Sequence, residues 1–218
     1  MWFAGLEGTV STISGAPPVD IDVSPSQAIE DTEASFMLWM DMRKGRQGLF
    51  LGFVYTDVES EEVLIPEIDL AMQSISKTTL GNLAYSFNLV SNEQAVLDLM
   101  AGARYWDVDT TLSFSGGLGV LAGKTINNSD SWWDPEVGLK GRIMLGNSRF
   151  YVGGLASVGG FGVGSDLFWD LAANFGFQWT SWLGTSVGYQ YLDVDFEDDG
   201  FLYDTTQQGW MVNLTFLF

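Results

Sequence analysis

The chain has 218 residues, with 28 acidic side chains against 9 basic ones, and no apolar run approaches the roughly 18–20 residues a membrane helix needs. It contains no cysteine and no histidine, which excludes disulfides and thiolate metal sites and removes the commonest general base. The length suits one domain over residues 1–218, and 26 glycines, 5 prolines and 14% aromatics suit many strands joined by turns.

Alternating segments of about ten residues or more are predicted near 2–13, 34–43, 48–58, 68–87, 96–111, 133–145, 150–160, 167–179, 183–195 and 204–218. Short turns separate them at Lys44-Gly45-Arg46-Gln47, around Ser91-Asn92-Glu93, at Gly146-Asn147-Ser148 and at Thr180-Ser181. Longer connections fall near 14–33, 59–67, 112–132, 161–166 and 196–203. The first of these holds Pro17, Pro18 and Pro25, which interrupt a strand, and its stretch from Ser26 to Glu33 suits a short helical turn. In the last segment Trp210, Val212, Leu214, Phe216 and Phe218 share one face, while Gly209, Met211, Asn213, Thr215 and Leu217 share the other. Apolar out and mostly small or polar in is the reverse of a soluble barrel and the pattern of a membrane-spanning one.

The predicted fold is therefore all-β: a closed, antiparallel, up-and-down transmembrane β-barrel of about ten strands. Eight is the alternative, reached by losing one hairpin among the first three segments. An even count places both termini with the short turns, on the periplasmic side, and the long connections outside. Export implies a leader removed ahead of Met1, because the strand pattern starts at once. Charge agrees with this orientation. Most acids lie in or beside the long connections, whereas Arg43, Lys44, Arg46 and Arg149 cluster at the short turns.

The parity opposite the apolar face predicts a lumen holding Glu7, Asp41, Asp98, Glu136 and Asp170, with Lys77, Arg104, Lys140 and Arg142 as counter-charges. Gln73, Asn174, Gln178, Gln190 and Asn213 add hydrogen-bonding groups there. Buried ions must be paired, so these residues read as a network filling a narrow barrel. The alternative is a constricted aqueous path lined by the same charges, although interiors near eight strands are filled and channels open at about sixteen.

Tyr105-Trp-Asp-Val-Asp109 and Tyr191-Leu-Asp-Val-Asp195 echo each other at two strand tops. They suit an aromatic girdle topped by an acidic rim. Asp107, Asp109, Asp193, Asp195, Glu197, Asp198 and Asp199 form the candidate site for Ca²⁺ or Mg²⁺, ions that take oxygen ligands; otherwise no cofactor is expected. The spacing is not that of an EF-hand, since Asp198 stands where glycine is required. Gly119-Val-Leu-Ala-Gly-Lys-Thr125 lacks the first glycine of a phosphate loop, and Gly159-Gly-Phe-Gly-Val-Gly164 lacks a βα context, which leaves a tight hairpin.

Gly102-Ala-Arg-Tyr-Trp-Asp-Val-Asp109, Trp133-Asp-Pro-Glu-Val-Gly-Leu-Lys-Gly-Arg142, Gly159-Gly-Phe-Gly-Val-Gly-Ser-Asp166 and Gly188-Tyr-Gln-Tyr-Leu-Asp193, with the terminal aromatic strand, resemble small Gram-negative outer-membrane β-barrel proteins of the OmpA-barrel and opacity-like superfamily. The resemblance covers the second half of the chain and reaches the first half by pattern alone. It implies an integral outer-membrane location and insertion by the barrel-assembly machinery, which reads a C-terminal aromatic strand. It implies no activity. The chain departs from OmpA itself in lacking a peptidoglycan-binding domain and in having more than eight strands. Membrane proteases of the omptin type are similar in size, but their histidine-dependent chemistry has no counterpart here, so the chain is expected not to be an enzyme.

The expected function is a structural or interaction role through acidic external loops over a largely plugged lumen, with a narrow cation-preferring, porin-like channel as the alternative. Expected partners are outer-membrane lipid, including lipopolysaccharide bridged by divalent cations, together with a protein at the loops or a second copy of the chain. No nucleic-acid partner is expected.

Overall fold

Each predicted segment contains a strand in the computed structural model, which describes residues 1–11, 19–27, 32–65, 70–115 and 123–217, and several strands run on into the predicted long connections. Its strands are β1 (Trp2–Ser11), β2 (Val19–Val23), β3 (Thr32–Lys44), β4 (Gln47–Ile65), β5 (Leu70–Ser91), β6 (Ala95–Ser115), β7 (Thr125–Met144), β8 (Phe150–Gly160), β9 (Leu167–Gln178), β10 (Leu183–Asp198) and β11 (Phe201–Phe216). Pro17, Pro18, residues 119–122 of the Gly-Lys-Thr string and Phe218 of the terminal strand lie outside the described residues.

All eleven strands belong to one sheet in the order β2-β1-β11-β10-β9-β8-β7-β6-β5-β4-β3. β1 pairs antiparallel with β11, Trp2 opposite Met211, so the two ends of the chain meet. The Met1 ammonium donates to the Val212 carbonyl at 2.7 Å. The short turns lie at that same end of the strands, as expected. Two-residue turns are built on residues that tolerate positive φ: Gly45 at the β3–β4 turn, and Asp199 with Gly200 at the opposite end, between β10 and β11.

Among the described residues the strands number eleven rather than the expected ten or eight, because β2 forms inside the first long connection. β2 and β3 both run antiparallel to ascending neighbours, β1 and β4, and are thus two pieces of one descending pass. A helical turn over residues 25–27 divides them. Pro25 has no N–H to give a ladder, and the Gln27 side chain accepts from the Ser24 N–H at 3.0 Å and from its hydroxyl at 2.7 Å. Among the described residues no ladder joins β3 to β2 or to β1.

The sheet has two zones that exchange faces. On β6, Leu97, Leu99, Ala101, Ala103 and Tyr105 point out and Asp98, Met100 and Arg104 point in. Above Tyr105 the outward residues are Asp107 and Asp109, and the inward ones are Trp106 and Val108, both buried. On β10, outward Val187, Tyr189 and Tyr191 give way to Asp193, Asp195 and Glu197, while inward Leu192, Val194 and Phe196 are buried. The lower zone wears an apolar belt that includes Leu83, Leu99, Leu139, Phe175, Val187, Val212 and Leu214, all exposed. The upper zone is built like a soluble barrel, apolar within and acidic without.

An aromatic stack fills the upper lumen. Trp132 lies flat on Phe196 at 3.7 Å between ring centroids and on Trp106 at 5.7 Å, and Phe168 meets Trp106 edge-on at 5.8 Å. With Val54, Leu80, Phe201 and Tyr203 these rings form one buried cluster. Trp132→Ala is expected to cost about 3–5 kcal/mol in equilibrium unfolding, the usual loss for a large buried aromatic; the outward Trp133→Ala, measured in the same detergent, is expected to cost much less.

Candidate functional site

Below the stack, three strands bring charges to one point. Arg104 on β6, Glu136 on β7 and Asp170 on β9 are all buried. The guanidinium Nε stands 3.4 Å from Glu136 Oε2, and Nη2 donates to Asp170 Oδ2 at 3.0 Å and to Ser157 Oγ at 3.4 Å. Gln190 donates to the other Asp170 oxygen at 2.8 Å, and the Asn82 amide donates to Glu136. The guanidinium also lies 4.6 Å from the Phe168 ring centroid, so the charge cluster and the aromatic stack share a boundary. One cation thus faces two carboxylates in a dry interior, each oriented by neutral donors.

Two further ion pairs lie nearer the short turns. Arg43 pairs with Asp98, which also accepts from Asn88 at 2.7 Å. Lys140 pairs with Asp41, its Nζ 4.5 Å from the Phe50 ring centroid. Arg142 is inward as expected but faces no carboxylate among the described residues. It stacks over Tyr151 at 5.2 Å and donates to Gln178 at 3.5 Å. Of the inward set, Asp41, Asp98, Arg104, Glu136, Lys140 and Asp170 fall into three separate charge groups, and Arg142 stands apart from them.

Glu7 and Lys77 do not join it. Glu7 is exposed and stands opposite Thr206, whose hydroxyl donates to Asp193 at 2.7 Å on the outer face. Lys77, also exposed, faces outward with Asp57, its Nζ 3.6 Å from Asp57 Oδ2. The reason is the exchange of faces. Both residues lie above the girdle, where polar means outside, and assigning polar residues to the lumen along the whole strand places them on the wrong side. Gln73 is misplaced likewise and donates to Glu59. Sequence reasoning also leaves Arg43 at a turn, although its parity with Trp39 and Asp41 is the signal that it points in.

A further carboxylate with buried partners is Asp134, near the upper end of the lumen. It is fully buried. Its Oδ1 accepts from the Ser165 N–H at 2.7 Å, and its Oδ2 accepts from the Ser165 hydroxyl at 2.7 Å and the Trp132 indole at 3.2 Å. The carboxylate thus ties the β8–β9 hairpin across the mouth of the lumen. Gly164 sits so close that a Cβ there would lie 2.7 Å from Asp134 Oδ1.

The rim residues Asp107, Asp109, Asp193, Asp195 and Glu197 project outward, Asp198 ends β10, and Asp199 lies in the turn that follows it. Tyrosine hydroxyls below donate to them or to their neighbours, Tyr105 to Asp107 at 3.1 Å and Tyr55 to Asp57 at 3.3 Å, and the Trp169 indole donates to Asp193 at 3.1 Å. No three acidic side chains converge to hold a metal ion among the described residues. Alternation along extended strands spreads the carboxylates rather than gathering them. Asp195, above the girdle and opposite Asp204, has its carboxyl raised above the usual range, first by partial burial and then by Asp204, Asp166, Asp193 and Glu197.

No family model matches the chain, and no curated protein matches it. Among solved structures it is similar to the outer membrane protease OmpT from Escherichia coli, with a TM-score of 0.50 and 11% identity over 98% of this chain and 96% of that one. The fold is that of an outer-membrane β-barrel. Kinship with the OmpA and opacity-like barrels in particular is not what this likeness shows. It also overturns the expectation that the chain is not an enzyme. That neighbour is a protease by its title, so this fold gives no ground for excluding catalysis, and lack of histidine removes one type of base rather than catalysis as such.

Arg104→Ala strands two buried carboxylates and is expected to cost about 3–5 kcal/mol in urea unfolding, with much of the loss recovered when Glu136→Gln and Asp170→Asn are added. Asp195 gives a prediction of opposite sign. A raised carboxyl pKa means that the folded state holds the proton more tightly, so its contribution is present in acid and lost as pH rises through the folded value. Asp195→Asn is therefore expected to raise the unfolding midpoint at about pH 7 and to leave it unchanged below about pH 3.

Proposed function

We propose that the chain is an integral barrel of the bacterial outer membrane whose lumen is shut and which acts at its acidic outer rim. The observation that carries this is the exchange of faces at the Tyr105, Trp133 and Tyr191 level. An apolar belt surrounds a charge-paired interior below, and an acidic exterior surrounds an aromatic plug above. In this reading residues 1–218 form one barrel, closed in the bilayer. The termini and the basic residues Arg43, Lys44, Arg46 and Arg149 face the periplasm. The belt ends on the terminal strand with Trp210, Val212, Leu214 and Phe216, the strand that the assembly machinery would read.

The external partner is a surface or molecule of positive charge, or an anionic one carrying divalent cations with it. Lipopolysaccharide meets the second description, since its phosphates and the outward carboxylates Asp107 and Asp193 share counter-ions at headgroup level. A protein at the rim or a second copy of the chain answers the same chemistry through basic side chains.

Conductance in planar bilayers tests the shut lumen. The refolded protein, with insertion verified by heat-modifiable migration, is expected to be silent, and Glu136→Ala and Arg104→Ala are expected to introduce current. Steady cation-selective steps from the unmodified chain would instead select the narrow cation-preferring channel, with Asp41, Asp98 and Asp170 as its selecting charges.

A further inference from the structure

The short turns leave two arginines in matching positions at the end of the sheet that carries the chain termini. Arg46, in the β3–β4 turn, and Arg149, just before β8, are both exposed. Each accepts at its carbonyl from the neighbouring strand, Arg46 from the Asn88 N–H at 2.8 Å and Arg149 from the Gln178 N–H at 2.8 Å. Each then sends its guanidinium back to that strand. Arg46 Nε donates to the Asn88 carbonyl at 3.0 Å, and Arg149 Nη1 donates to the Trp179 carbonyl at 3.3 Å. Both guanidinium groups are thus held at the rim, and neither faces a carboxylate among the described residues. Asp41 and Asp98, the inward acids nearest that end, are engaged by Lys140 and Arg43.

The surroundings of both are those of a boundary between hydrocarbon and water. The Arg46 guanidinium lies 4.8 Å from the ring centroid of Phe87, an outward residue of the apolar belt. Arg149 adjoins an outward aromatic set in which Phe177 meets Phe150 at 4.9 Å and Trp179 at 4.7 Å, both edge-on. Trp179 is exposed, and its indole donates to Thr185 Oγ1 at 2.9 Å. At Thr185 begins an outward groove of about 250 Å³, many times the roughly 30 Å³ share of one water molecule. Its floor is the short, β-branched Thr185, Val187 and Val212, and its wall is the longer Phe175 and Phe177. Phe175, Val187 and Val212 are exposed within the belt, so the groove opens toward hydrocarbon.

We propose that Arg46 and Arg149 are two headgroup sites for an anionic phospholipid, and that at Arg149 one acyl chain of that lipid lies in the groove over Val187 and Val212. A guanidinium matches phosphate oxygens through parallel N–H bonds, and one already fixed by a single N–H loses less freedom in making them. Arg46 keeps both Nη groups for this purpose, and Arg149 keeps Nη2 and Nε. A free phosphate satisfies the same donors. The lipid is favoured because an outward ring adjoins each guanidinium, and because the groove continues from Trp179 into the belt, where only a lipid places an alkyl chain beside its phosphate. The acidic rim at the other end of the barrel repels the same headgroup, so the two ends differ in the lipid charge they accept. The proposal rests on the bilayer reading given above.

The test offers the refolded protein in detergent equal amounts of phosphatidylglycerol and phosphatidylcholine with the same acyl chains, and reads the lipid retained by native mass spectrometry. Two phosphatidylglycerol molecules are expected to be held in preference to phosphatidylcholine. Arg46→Gln and Arg149→Gln are each expected to weaken one site about fivefold, the weight of one arginine beside an anionic lipid surface, and together to remove the preference. Val187→Trp, which fills the groove from its outward side, is expected to weaken the Arg149 site alone. In the Arg46→Gln background it therefore leaves little phosphatidylglycerol bound. Soluble glycerol 3-phosphate is expected not to displace the lipid; displacement at equal concentration would assign the arginines to free phosphate and overturn the lipid. Equal retention of both lipids by a chain that shows heat-modifiable migration, or a preference that survives the double substitution, also overturns the proposal alone. Absence of heat-modifiable migration from the unmodified chain overturns the bilayer reading and the proposal with it.

Discussion

Arg104 is the joint on which the interior depends. A guanidinium cannot stand alone in a dry lumen, and this one is held by carboxylates from two other strands while its face lies against Phe168. It therefore binds β6, β7 and β9 into one cross-section and marks the level at which charges stop and aromatic rings begin. Above it the interior is Trp106, Trp132, Phe168 and Phe196; below it are the Arg43–Asp98 and Lys140–Asp41 pairs. Charge pairs and aromatic rings thus occupy successive levels of the interior.

The same boundary organises the outside. Where the interior changes from charge to aromatic, the exterior changes from apolar to acidic, because a strand of period two can serve hydrocarbon on one face for only as long as hydrocarbon lasts. Beyond that level water is outside and the hydrophobic effect drives apolar groups in. The tyrosines at the change, Tyr55 and Tyr105, present rings to the belt and hydroxyls to Asp57 and Asp107. Function in the proposed sense follows from this division. The lower zone anchors, the upper zone displays charge, and Asp134 holds a hairpin across the mouth between them and the solvent.

The edges of the sheet are less regular. Pro25 and the helical turn over residues 25–27 lie between β2 and β3, and among the described residues no ladder joins those two strands.

Strand positions, the belt, the placement of the termini with the short turns, and most inward charges were legible in the sequence, because alternation of period two is a local property that each segment declares by itself. Asp98, Arg104, Glu136, Lys140 and Asp170 were found inside on that basis alone. Which charges meet was not legible, since Arg43 with Asp98 and Arg104 with Asp170 are separated by many residues and joined only by the curl of the sheet. Glu7 and Lys77 show the other limit: parity says that two faces differ, but only the level of each residue relative to the girdle says which face is wet. The sequence alone thus determined that this is a sheet with one face for lipid. The tertiary structure decided where that face ends and which charges pair across the lumen, because registers are settled between segments rather than within them.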